Sequence, residues 1–110
     1  METNPFISSE PFSFKDSVQY SDGAIVSKRV LEKPAGNVSL FAFDAGQRIN
    51  EHSAPFDALV QVVEGEATVI INKEAYSLAE GQSIIMPANV PHALEAPKRF
   101  KMLLTMIKSQ

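Results

Sequence analysis

From residue 24 onward the chain alternates between short apolar-rich runs and turn-forming residues, and that rhythm is the primary signal of its architecture. Residues 24–31 run to the turn Lys33-Pro34-Ala35-Gly36, and residues 38–44 run to Ala45-Gly46. Residues 59–63 stop at Glu64-Gly65, 67–71 at Asn72-Lys73-Glu74, and 75–78 at Glu80-Gly81. Residues 84–86 meet Pro87, a further run opens at Pro91-His92, and residues 100–107 close the pattern. Two runs show clean period-two alternation. Ala67, Val69 and Ile71 oppose Glu66 and Thr68, while Phe100, Met102, Leu104 and Met106 oppose Lys101 and Thr105. Such alternation places one face of a strand on a core. Leu40-Phe41-Ala42-Phe43 is apolar on both faces, and Leu103 and Ile107 add apolar side chains to a second face. Those faces need a cover from outside, and a homodimer is the simplest one. About eight short strands with regular turns, and no helical stretch of ten residues, predict a sandwich or barrel.

Residues 1–22 read differently. They are polar and punctuated by Pro5, Pro11 and Asp22-Gly23, yet they carry Phe6, Phe12 and Phe14. Aromatic residues in a terminal arm need a surface to pack on, either the barrel or a partner subunit, with a helical turn expected around residues 15–18. The expected organisation is therefore an arm over 1–22 and a β domain over 23–110.

Composition narrows the function classes. A chain of 110 residues is one domain. Its net charge of -3 and dispersed Lys and Arg argue against nucleic acid or an anionic membrane as a partner. There is no cysteine, which excludes disulfides and thiolate chemistry and fits a reducing, cytoplasmic setting. The N-terminus lacks the pattern of a signal peptide, and no apolar run approaches membrane-spanning length.

Two segments carry chemistry. In the first, Gly46 is followed after five residues by His52, then Ala54, Asp57, Ala58 and Gly65. In the second, Gly81 is followed after five residues by Pro87, then Asn89 and His92. These segments resemble the two motifs of the cupin superfamily, and the resemblance covers residues 38–107. It implies a double-stranded β-helix, or jelly-roll barrel, of the RmlC-like kind. It also implies a metal site of two histidines and a glutamate from the first motif and a histidine from the second. Here His52 and His92 stand at ligand positions, but Ala54 and Ala58 replace the other histidine and the glutamate. Asn89 replaces a motif glycine, a substitution that a positive φ tolerates.

Asp57 is the obvious substitute ligand, yet one residue along a strand turns a side chain to the opposite face. Glu51 and Glu95 share that problem beside His52 and His92. The expected pocket wall is His52, Ala54, Ala58, Val60, His92 and Leu94: two imidazoles among small and aliphatic side chains. If a divalent transition metal binds, His52 and His92 are its ligands and the site is open and weak. The bland alternative, two histidines satisfied by local hydrogen bonds, is disfavoured because the chain's only two histidines both fall on motif positions. Three readings stay open: a small-molecule-binding module taking a small polar or carboxylate-type ligand, a metal-dependent dioxygenase or isomerase with a non-standard third ligand, and a metal-free lyase or isomerase with a histidine base.

Overall fold

The computed structural model describes residues 6–108. It is all-β, with nine strands in two antiparallel sheets. The strands are β1 (Ile25–Lys33), β2 (Gly36–Phe43), β3 (Arg48–His52), β4 (Asp57–Gly65), β5 (Ala67–Ile71), β6 (Glu74–Leu78), β7 (Ser83–Met86), β8 (His92–Glu95) and β9 (Phe100–Ile107). The first sheet has the order β1-β2-β9-β4-β7 and the second β3-β8-β5-β6. Only β1–β2 and β5–β6 stay within one sheet; every other consecutive pair crosses between the sheets, which is the jelly-roll arrangement. No helix among the described residues is long and apolar enough to cross a membrane.

Between the sheets lies one apolar core. Val60, Val69, Phe43, Phe100 and Met102 are wholly buried there. Phe43 and Phe100 face each other across the β2–β9 pair, with rings stacked at 4.5 Å and 17°. Their row ends at Gly65, whose φ of 81° and tight fit against the Arg99 carbonyl and Phe100 leave no room for a Cβ. This end of the barrel is closed. Gly46 N–H donates to the Ala96 carbonyl at 2.7 Å and Ala96 N–H to the Gln47 carbonyl at 2.9 Å, tying two inter-sheet connections together.

The opposite end is formed by the row Glu32–Asn37–Met106–Ala58–Met86 across the first sheet. The 53–56 connection from β3 to β4 and the 87–91 connection from β7 to β8 lie here. This end, the mouth of the barrel, carries both histidines.

The outer face of the first sheet is covered by the chain itself. Val18, at 0% exposure, packs with Leu40, Ala42 and Leu103, and Phe6, Phe14 and Tyr20 pack around them. Phe12 bridges Phe6 and Phe14 through edge-on contacts at 4.9 and 5.2 Å. The two-faced strands therefore have an internal cover, and a second copy is not needed to explain them. Residues 14–17 make a turn rather than a helix, held by Asp16 N–H to Ser13 O and Ser17 N–H to Phe14 O. Lys101 does face away from the inner core, yet it is only 6% exposed because the arm lies over it. Its Nζ donates to the Lys15 carbonyl at 2.6 Å and sits 5.1 Å from the Tyr20 ring centre. Half-buried beside Glu64, the Tyr20 hydroxyl donates to that carboxylate at 2.6 Å; desolvation first, then this bond, pushes its pKa well above the tyrosine range.

Candidate functional site

His52 ends β3 and His92 begins β8, and the two are direct cross-strand partners. A bulge makes that pairing possible. Ile49 pairs with Leu94, and three residues on β3 then match two on β8 to bring His52 opposite His92. With regular alternation Glu51 would share the face of Ile49; the extra residue hands that face to His52. The two rings meet edge-on at 4.4 Å between centroids, with Nε2 to Nε2 at 3.2 Å. His52 lies at the exposed rim, whereas His92 is 5% exposed.

A carbonyl sets the proton of the His52 ring. Nδ1 of His52 lies 2.9 Å from the Asn50 carbonyl, which can only accept, so that nitrogen carries the hydrogen. In the neutral ring Nε2 of His52 is then bare and accepts from Nε2–H of His92. Nδ1 of His92 is buried and has no partner at full hydrogen-bond geometry, with the Val90 carbonyl acting on this ring. Burial and then the neighbouring His52 hold the His92 pKa below the ordinary imidazole range; the Val90 carbonyl pulls weakly the other way.

The neighbouring carboxylates are all engaged elsewhere. Asp57 stays in regular register at the start of β4 and turns outward, where it accepts from Ala88 N–H at 2.8 Å. Glu51 pairs with Lys73 at 2.9 Å, and Glu95 faces Arg48 at 3.9 Å. Among the described residues no three His, Cys, Asp or Glu side chains gather to hold an ion. Two imidazoles without a carboxylate fall short of the three or four protein ligands a resident metal centre uses. The donor set does not fit such a centre.

Ala58, Val60 and Leu94 are buried in the inner core, at 6%, 0% and 2% exposure. Ala54 is half-buried in the connection after β3, and its carbonyl accepts from Asn89 N–H at 2.7 Å. Asn89 has a φ of 64°, the left-handed conformation that a glycine supplies at this turn in the motif. Neither tyrosine reaches the histidines by any hydrogen bond: Tyr20 belongs to the arm and gives its hydroxyl to Glu64, and Tyr76 is exposed on the edge strand β6.

One polar residue at the mouth is absent from the sequence reading. Asn37 is 6% exposed, and its Oδ1 is buried without a partner. Odd-numbered positions of β2 face inward, as Phe41 and Phe43 show, so Asn37 and the buried Ser39 share that face. An asparagine one residue into a two-faced apolar strand was the available signal.

A family model described as "Cupin domain" matches residues 39–108. The chain is 34% identical to a conserved protein of unknown function from Streptococcus pyogenes, with a TM-score of 0.91 over 98% of this chain and 94% of that one. It is 38% identical to a cupin 2 conserved barrel domain protein from Leptotrichia buccalis, with a TM-score of 0.83 over 86% of this chain and 46% of that one. Salicylate 1,2-dioxygenase from Pseudoaminobacter salicylatoxidans shares the fold at 21% identity, with a TM-score of 0.71 over 86% of this chain and 28% of that one. No curated protein matches the chain. With both motifs on one jelly-roll barrel and the family model spanning most of its length, the chain belongs to the cupin superfamily.

Proposed function

We propose that this protein binds a small polar or carboxylate-type ligand at the mouth of the barrel, with His52 and His92 as the polar anchor and no resident metal. The observation that carries this reading is the joined pair of imidazoles, 3.2 Å apart, with Ala54 and Ala58 at the other ligand positions and every nearby carboxylate committed elsewhere. The apolar surroundings of Ala58, Val60 and Leu94 favour a compact ligand, held by few polar contacts. His52 at the rim is reachable from solvent, and His92 behind it supplies a desolvated contact.

A metal-dependent dioxygenase or isomerase is the second reading. It draws support from the same spacing, since two nitrogens 3.2 Å apart can both reach one cation at about 2.1 Å. Metal analysis of protein purified without an affinity tag separates the two. The binding reading expects far less than one equivalent of transition metal per chain. Near-stoichiometric iron, nickel, manganese or zinc, lost in His52→Ala, reverses the ranking.

Self-association is a separate proposal, and it now rests on exposed Ile7, Phe12, Leu31 and Ile107 rather than on the covered strands. Light scattering at micromolar concentration should report a dimer; a monomer removes it. The absence of cysteine supports a cytoplasmic setting for the protein.

A further inference from the structure

Among the described residues two buried side-chain atoms lack any hydrogen bond, Asn37 Oδ1 and His92 Nδ1. Both belong to the mouth of the cup. Asn37 shares a register row with Met106, Ala58 and Met86. In β4, Ala58 follows the connection that begins after His52, and in β7, Met86 precedes the connection that leads to His92. Asn37 and His52 lie on strands of opposite sheets, joined by the β2–β3 crossover. Every other buried side-chain nitrogen or oxygen among the described residues has a hydrogen-bond partner.

A buried unpaired acceptor is destabilising, and such groups persist where something other than folding retains them. Neighbours of Asn37 in the row are apolar on one side, and on the other Glu32 is exposed and paired with Arg29 at 3.1 Å. No charge is directed at the amide by these partners. Its own Oδ1 accepts, so the complementary group is a hydrogen-bond donor without charge. A hydroxyl meets that description.

We infer that Asn37 is a ligand-recognition residue, and that the cup takes a small neutral molecule bearing hydroxyl groups. The inference rests on the cup being a ligand site and adds to that reading the residue and the chemical class. Contact requires the ligand to displace the side chains that occlude Oδ1, of which Met106, directly opposite and unbranched, is the most adaptable.

Thermal unfolding of the full chain, alone and with low-millimolar erythritol or D-ribose, tests it, since bulk osmolyte stabilisation is negligible at that concentration. Acetate and benzoate, which lack a donor when ionised, are the comparison. Asn37→Leu, close in shape and apolar, should melt higher than the parent without probe, by on the order of 4 °C. It should bind the polyol roughly tenfold more weakly. Asn37→Ser, which keeps a small hydrogen-bonding group, should retain part of the response. A ligand-free Asn37→Leu or Asn37→Ser protein that melts well below the parent, or fails to fold, shows that the amide is structural and overturns the assignment. So does a polyol response equal in parent and variants. If acetate or benzoate stabilises parent and Asn37→Leu alike, and His52→Ala abolishes the effect, the cup reading stands and the role of Asn37 falls. If no probe stabilises the parent, both fall.

Discussion

The two ends of this barrel are built on opposite terms. At the closed end, Phe43 and Phe100 stack without exposure, Gly65 admits no side chain, and backbone bonds join the connections. Around its outer side Arg99 holds both Asp22 and Asp44 at 2.7 Å, and the pairing keeps the Asp44 carboxyl below the usual range. At the mouth, an imidazole pair, an unpaired amide and two alanines replace that completeness. The difference teaches where the fold draws its stability and where it keeps chemistry in reserve: substitutions at the two ends should separate cleanly in stability and in binding.

The largest expected effect lies at the closed end. Phe100→Ala removes a fully buried ring from the stack and should cost about 3–5 kcal/mol in urea unfolding. A loss below about 1 kcal/mol would mean that this end does not anchor the fold. Next comes the fastening of the mouth. Asp57→Ala frees the Ala88 N–H at an exposed site and should cost about 1 kcal/mol, with Asp57→Asn recovering part of it. If Asp57 were instead a metal ligand, Asp57→Ala would change metal content and leave the unfolding midpoint nearly in place.

A smaller effect is the response to acid. The folded protein holds the His92 pKa below the ordinary imidazole value, so on acidification the unfolded chain takes up its proton first. Stability should be complete above about pH 6.5 and should decline as the pH falls from there toward the folded value. His92→Gln should flatten that part of the profile, while Phe100→Ala should only lower it. The smallest effect is at the rim. His52→Ala should change stability by no more than about 0.5 kcal/mol, because the ring is exposed and water can take its place opposite His92. It should still alter any ligand response at the mouth, as ligand-induced shifts in melting temperature would show.

Eight of the nine strands are legible from the sequence because each has an apolar face or a glycine or proline boundary. Two of them, β5 and β9, match the expected limits residue for residue. The ninth, β3, is not. Its sequence Arg-Ile-Asn-Glu-His offers one apolar side chain on an edge strand otherwise open to solvent, so no alternation marks it. The need to cover Leu40, Ala42 and Leu103 is likewise legible, but not the agent: Val18 sits alone among polar neighbours, and only the fold shows it sealing that face. At the site, the motif positions locate the two histidines, and strand parity turns Asp57 away from them. Asn37 is not legible as a site residue because an asparagine near a turn ordinarily serves the turn. Its burial is set by the sheet stacked above it, which local sequence does not encode.

The bulge before His52 has an evolutionary consequence. Which side chain meets His92 depends on how many residues separate Ile49 from that point, rather than on their identity. A one-codon deletion at Asn50 or Glu51 would remove the need for the bulge and keep His52 opposite His92, whereas a one-codon insertion there would set the histidine a further residue out of step and dismantle the pair while preserving every strand. Length variation in this short segment is thus a genetic toggle for the chemistry of the barrel, available without touching a histidine.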